Sequence, residues 1–150
     1  ARSAVIRAGD AMIDMAFFTA HGMDPADYCA RMVGAADVYV GLIGLRYGSP
    51  VRGREEVSFT ELEFETATDH GLPRLVFLLA EDSSPSARQA AFRRRLQRVG
   101  LTTAQVTSPS ELEVRLYQAL VELPFDHVAS TRPRPFAARR PGRSQRRRAG

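Results

Sequence analysis

Lysine and tryptophan are both absent from this chain of 150 residues, and cysteine occurs once. All 21 basic residues are therefore arginines. Each is a planar guanidinium, always charged and suited to two-pronged anion contacts, although the bias reads mainly as the coding signature of a GC-rich genome. The single Cys29 excludes an internal disulfide, and a reducing cytoplasm is its natural compartment. The longest apolar runs, residues 38–45 and 75–80, fall far short of the ~18 residues that cross a bilayer. No basic leader precedes an apolar stretch, so no secretion signal is visible. His21, His70 and Cys29 lack metal-ligand spacing and read as ordinary surface or core, and His127 opens the tail. Walker, GxGxxG and GxSxG motifs do not occur.

What is present divides into two unlike parts. Residues 1–130 carry 13 arginines against all 17 acids, a net charge of −4, whereas residues 131–150 carry 8 arginines and no acid. The pI of about 10.0 thus belongs to the end of the chain and is no argument for a basic face on the domain. We assign residues 1–124 to one α/β domain and residues 125–150 to a disordered Arg/Pro-rich tail, which cannot bury enough apolar surface to fold. Such a tail reads as a linker or extension, or as a salt-sensitive contact with nucleic acid. The chain opens at Ala1 inside a helical pattern, so a fragment is expected.

The hydrophobic periodicity alternates. Residues 1–8 read as a helix and 11–18 as a strand. Asp24-Pro25 starts a helix running to about residue 36, with Tyr28, Cys29 and Met32 inward. Residues 37–45 (DVYVGLIGL) form the best strand, apolar throughout as for a strand covered on both faces. Residues 46–57 read as a loop, Ser58 caps a helix to about His70-Gly71, and residues 74–80 form a second buried strand. A helix follows over 86–99 with Arg93, Arg94, Arg95 and Arg98 mostly outward. A short strand over 102–107 and a helix over 110–121, capped by Ser108, complete the pattern. Strands alternating with helices imply βαβ crossovers and a mostly parallel sheet between helices. In such sheets ligands bind at the carboxyl ends of the strands.

Two features could carry chemistry. On the helix after the best strand, Phe59, Leu62 and Thr66 share a stripe at ~100° per residue. Glu61 and Glu65 then project to solvent, while Glu63 lies at the edge of the apolar face. There it either accepts hydrogen bonds from its surroundings or points into a cleft, where burial would raise its pKa. The second feature is the turn after the strand, Gly44-Leu45-Arg46-Tyr47-Gly48-Ser49-Pro50. Its glycines let backbone approach a ligand, and Arg46 with Tyr47 could hold a phosphate or stack on a base. The plainer alternative is a tight turn with Arg46 paired to an acid such as Asp37 or Glu63.

The stretch DVYVGLIGLRYGSPV (37–51) resembles the TIR-like family numbered 4062 among domains of unknown function. So do SFTELEFETA (58–67), GLPRLVFLL (71–79), RQAAFRRRL (88–96) and residues 108–124, which look like actinobacterial members. The resemblance covers roughly residues 1–124. It implies a flavodoxin-like, TIR-like three-layer α/β/α fold, usually joined to an NTPase, TPR or WD40 region in intracellular signalling or defence proteins. Family members place a strand and a Ser/Thr-rich turn before the helix that opens this chain. Without that strand, residues 37–43 are expected to keep an unpaired edge. Related TIR and nucleoside deoxyribosyltransferase domains cleave an N-glycosidic bond with one helix glutamate, and Thr60-x-x-Glu63-x-x-x-Ala67 falls in step with their pattern. The resemblance thus implies Glu63 as the catalytic position.

Three functional readings follow. The first is a self-associating signalling module coupled to attached sensor or NTPase regions. The second is an NAD nucleosidase with Glu63 catalytic and Arg46, Tyr47, Gly44, Gly48, Ser58 and Thr60 binding NAD, with no metal and no further cofactor. The third is nucleic-acid association through the tail. No membrane partner is expected.

Overall fold

The computed structural model describes residues 1–13, 23–80, 84–98 and 103–123. Residues 11–13 have no regular structure, and the rest of the strand expected over 11–18 lies outside the described residues, as does the tail.

Ten elements are described. They are α1 (Arg2–Arg7), α2 (Pro25–Gly34), β1 (Tyr39–Ile43), β2 (Pro50–Val51), β3 (Arg54–Ser58), α3 (Phe59–Asp69), β4 (Arg74–Leu79), α4 (Ala87–Arg98), β5 (Thr103–Val106) and α5 (Pro109–Glu122). Helices α2, α3 and α5 start where a short polar side chain satisfies a free N–H group. Asp24 accepts from Ala26 N at 2.8 Å, Ser58 from Glu61 N at 3.2 Å and Ser108 from Glu111 N at 3.1 Å. Pro25 and Pro109 occupy first-turn positions, where the missing N–H costs nothing.

The main sheet has the order β1-β4-β5, and both ladders are parallel. Gly41 lies opposite Val76, and Phe77 lies opposite both Leu42 and Ala104. Each face is covered. On one, Tyr39, Ile43, Val76 and Leu78 pack with Phe64 and Ala67 of α3 and with Phe92 and Leu96 of α4. On the other, Phe77 and Val106 pack with Ala4 and Val5 of α1 and with Leu112 and Leu116 of α5. Each large apolar side chain buried this way stabilises the fold by about 1.5–3 kcal/mol. The result is a mixed α/β domain of three layers, consistent with a flavodoxin-like fold. Among the described residues β1 is the sheet's edge, bonded to β4 on one side.

Three expectations change. Residues 46–57, read as loop, contain the antiparallel hairpin β2–β3, turned at Gly53 with φ +77°. Its strand REEVS is exposed at its first three positions, so its polar sequence hid the ladder. Glu61, expected in solvent, is buried at 8% exposure. The stripe of α3 is rotated because the Phe64 ring, its largest apolar group with Phe59, turns to the sheet and carries Glu61 with it. Arg93, expected outward, is half-buried and bonds strand-end carbonyls.

Candidate functional site

The chain leaving β1 bends back over the start of α3. Gly48 adopts φ +88°, a conformation that favours glycine. A Cβ there would sit 3.5 Å from Thr60 Oγ1 and 3.8 Å from Ser58 Cβ, so Gly48, Ser58 and Thr60 stand together. Phe59 N donates to Ser49 O at 3.0 Å, which fastens the turn to the helix. Ser58 is fully buried, and its hydroxyl is the cap of α3.

Tyr47 reaches across this turn. Its hydroxyl lies 2.7 Å from Glu56 O and within hydrogen-bond reach of Glu61 Oε2. One phenol proton serves two acceptors here, so the proton is firmly held. Burial, followed by the Glu61 bond and charge, raises the Tyr47 pKa. Arg95 pairs with the other Glu61 oxygen and lies 3.5 Å from Glu65, which in turn faces Arg54 at 3.8 Å. Arg88 covers the Tyr47 ring at 5.9 Å and donates to Glu55 O at 3.0 Å. Hairpin, α3 and α4 are thereby joined through one buried carboxylate.

Glu63 belongs to the opposite flank. Two residues along a helix turn the side chain by ~200°, so Glu63 faces α2 while Glu61 faces α4. Glu63 is half-buried, and Cys29 Sγ donates to its Oε1 at 3.8 Å. Cys29 is fully buried. Its thiol is pushed up to about 12, chiefly by burial and then by the Glu63 charge and hydrogen bond. Tyr39 is raised as well, again by burial first and Glu63 second. The Tyr39 ring leans along its strand over Gly41, where an added Cβ would meet Cε1 at 3.0 Å and the hydroxyl oxygen at 3.2 Å. Gly41 thus makes room for the phenol. Towards Cys29 and Tyr39, which stay protonated, the Glu63 carboxylate acts as a hydrogen-bond acceptor and a negative charge.

The carboxyl ends of β1 and β4 are filled by α4. Arg93 Nη1 donates to Ile43 O at 2.9 Å, Gly44 O at 3.1 Å and Leu79 O at 3.2 Å, and Nη2 also donates to Leu79 O at 3.2 Å. Gln89 Nε2 donates to Gly44 O as well. Neither residue stands out from the sequence by type. For Gln89 spacing was the available signal, since it shares an inward stripe with Phe92 and Leu96 at i, i+3 and i+7.

The seven residues singled out from the sequence therefore divide. Tyr47, Gly48, Ser58 and Thr60 meet at the start of α3, while Gly44 supplies a carbonyl to α4. Arg46 is exposed, and Glu63 stands on the α2 side. Among the described residues no three His, Cys, Asp or Glu side chains form a group that could hold a metal ion. No helix among them is long and apolar enough to cross a membrane.

The family model described as Domain of unknown function (DUF4062) matches residues 1–121. No curated protein and no solved structure matches the chain.

Proposed function

The chain belongs to the family described as Domain of unknown function (DUF4062), and from that membership we propose a TIR-like interaction module of the cytoplasm. In this reading the domain self-associates and couples attached sensor or NTPase regions to a signalling or defence output. The observation that carries it is the filled strand-end crevice. Arg93 and Gln89 occupy the exits of β1 and β4, where α/β sheets generally bind ligands. Tyr47, the candidate ring for stacking, is bonded to Glu61. Side chains suited to gripping a substrate are committed to holding the fold, which favours a module acting through its surface.

A second reading keeps the N-glycosidic chemistry at Glu63. It is favoured by the half-burial of that carboxylate, one turn beyond Thr60 and beside a neutral thiol and phenol. There Glu63 would accept hydrogen bonds from ribose hydroxyls of NAD and stabilise the cation developing at the anomeric carbon. One experiment separates the two. The full chain is sedimented over a range of concentrations, and the same samples are incubated with NAD. We expect concentration-dependent association with no nicotinamide released. A chain that stays monomeric and releases nicotinamide, with the release abolished by Glu63→Gln, would replace the first reading by the second.

A further inference from the structure

We propose that the outer face of α5 is where a second copy of this chain docks, antiparallel and helix to helix. The proposal rests on the self-association reading above and names its surface.

The inner face of α5 is already used, with Leu112 and Leu116 buried against the sheet. Its outer face is also apolar. Val114 is 55% exposed, Tyr117 38% and Val121 54%. Their spacing of i, i+3 and i+7 keeps them within ~60° of one another around the helix, so they form a second stripe. Beside it runs a shallow groove of about 560 Å³, lined by Ser110, Glu111, Val114, Arg115 and Gln118. The far flank is pinned to α1, where Arg7 lies 5.3 Å over the Tyr117 ring and pairs with Glu113 at 2.9 Å.

The occupant follows from the pattern, which is complementary to itself when reversed. A two-fold axis between Tyr117 and Gln118 places Val114 and Val121 ~5 Å to either side of it. Val114 of one copy then meets Val121 of the other, twice. Arg115 and Glu122 lie within ~20° of each other on one flank of the stripe. The same axis brings Arg115 alongside Glu122 of the second copy with an axial offset of about 3 Å, within reach of an arginine. Arg115 bonds its own Glu111 through Nε, and its side chain is half-exposed. Glu122 is exposed and forms no ion pair among the described residues. An isologous contact needs this kind of self-matching. Two single helices cover less than about 1,200 Å², the range of weak, transient pairs, so association in the micromolar range or weaker is expected.

The test uses charge exchange at two exposed positions in the full chain. Arg115→Glu alone sets two carboxylates against each other across the axis, and Glu122→Arg alone sets two guanidinium groups together. Each variant should associate at least tenfold more weakly than wild type in sedimentation. Mixed in equal amounts, they should form a heterodimer of at least wild-type affinity, because both crossed pairs then attract. Val121→Glu should also weaken association tenfold or more, with unchanged circular dichroism showing that the fold is kept. Wild-type association that survives all three substitutions would overturn this surface and leave self-association standing. Failure of the mixed pair to recover would overturn the antiparallel register. A wild-type chain monomeric even at millimolar concentration would overturn both this surface and the self-association reading.

Discussion

Glu61 and Glu63 are two residues apart on one helix, yet their surroundings are opposite. Glu61 is buried at 8% exposure among a phenol and a guanidinium. Glu63 is half-buried against a thiol and a phenol that burial keeps protonated. The first carboxylate is compensated and fastens three elements together. Beside the second stand a thiol and a phenol, and its charge depresses their ionisation. Burial alone therefore says little about what a carboxylate does, because the charge state of its neighbours decides it.

The largest effect that would test this contrast is expected from Glu61→Ala. It takes one partner from both Arg95 and the Tyr47 hydroxyl, which keep Glu65 and Glu56 O, and should destabilise the domain by about 2 kcal/mol. That is below the full penalty of a broken buried pair, because Arg95 is partly in water. Urea denaturation measures it, and a loss as small as that of a surface pair would erase the distinction between the flanks. Glu63→Gln should cost less, about 1 kcal/mol or under, but should move a titration that Glu61→Ala leaves alone. The folded wild-type thiol stays protonated to about 12, while the unfolded one ionises near 9.0. Between those values the folded state binds the extra proton, so the contribution of Cys29 to stability is constant below pH 9 and falls as pH rises towards 12. Removing the Glu63 charge lowers the folded pKa of Cys29 and makes that alkaline loss smaller. Thiolate absorbance and unfolding measured from pH 8 to 12 check both. The smallest effect is expected at Arg54→Ala, which removes a 3.8 Å pair between half-exposed groups and should cost about 0.5 kcal/mol or less. A larger loss would mean that the hairpin depends on its rim charges as well as on Glu61.

Much of the frame was readable in the sequence because its signals are local. Ser58 and Ser108 precede helices they do cap, and the apolar run around Tyr39–Ile43 is a strand. The Glu61 side was not readable. Phe59, Leu62, Phe64 and Ala67 are spread so widely around α3 that several rotations of the helix fit, and only packing of the Phe64 ring selects one. The hairpin escaped because a two-residue strand facing REEVS has little apolar periodicity to detect. Arg93 escaped for a different reason. Its role depends on carbonyls that two distant strands bring together, and no local propensity encodes that.

That arginine has a mechanical consequence. Its guanidinium ties the exit of β1 at Ile43 and Gly44 and the exit of β4 at Leu79 to a single point on α4. The exits of β1 and β4 cannot loosen independently of that point. A tug on α4 from outside the domain would reach both strand ends at once, making this corner a rivet through which force or binding at the surface is shared across the sheet.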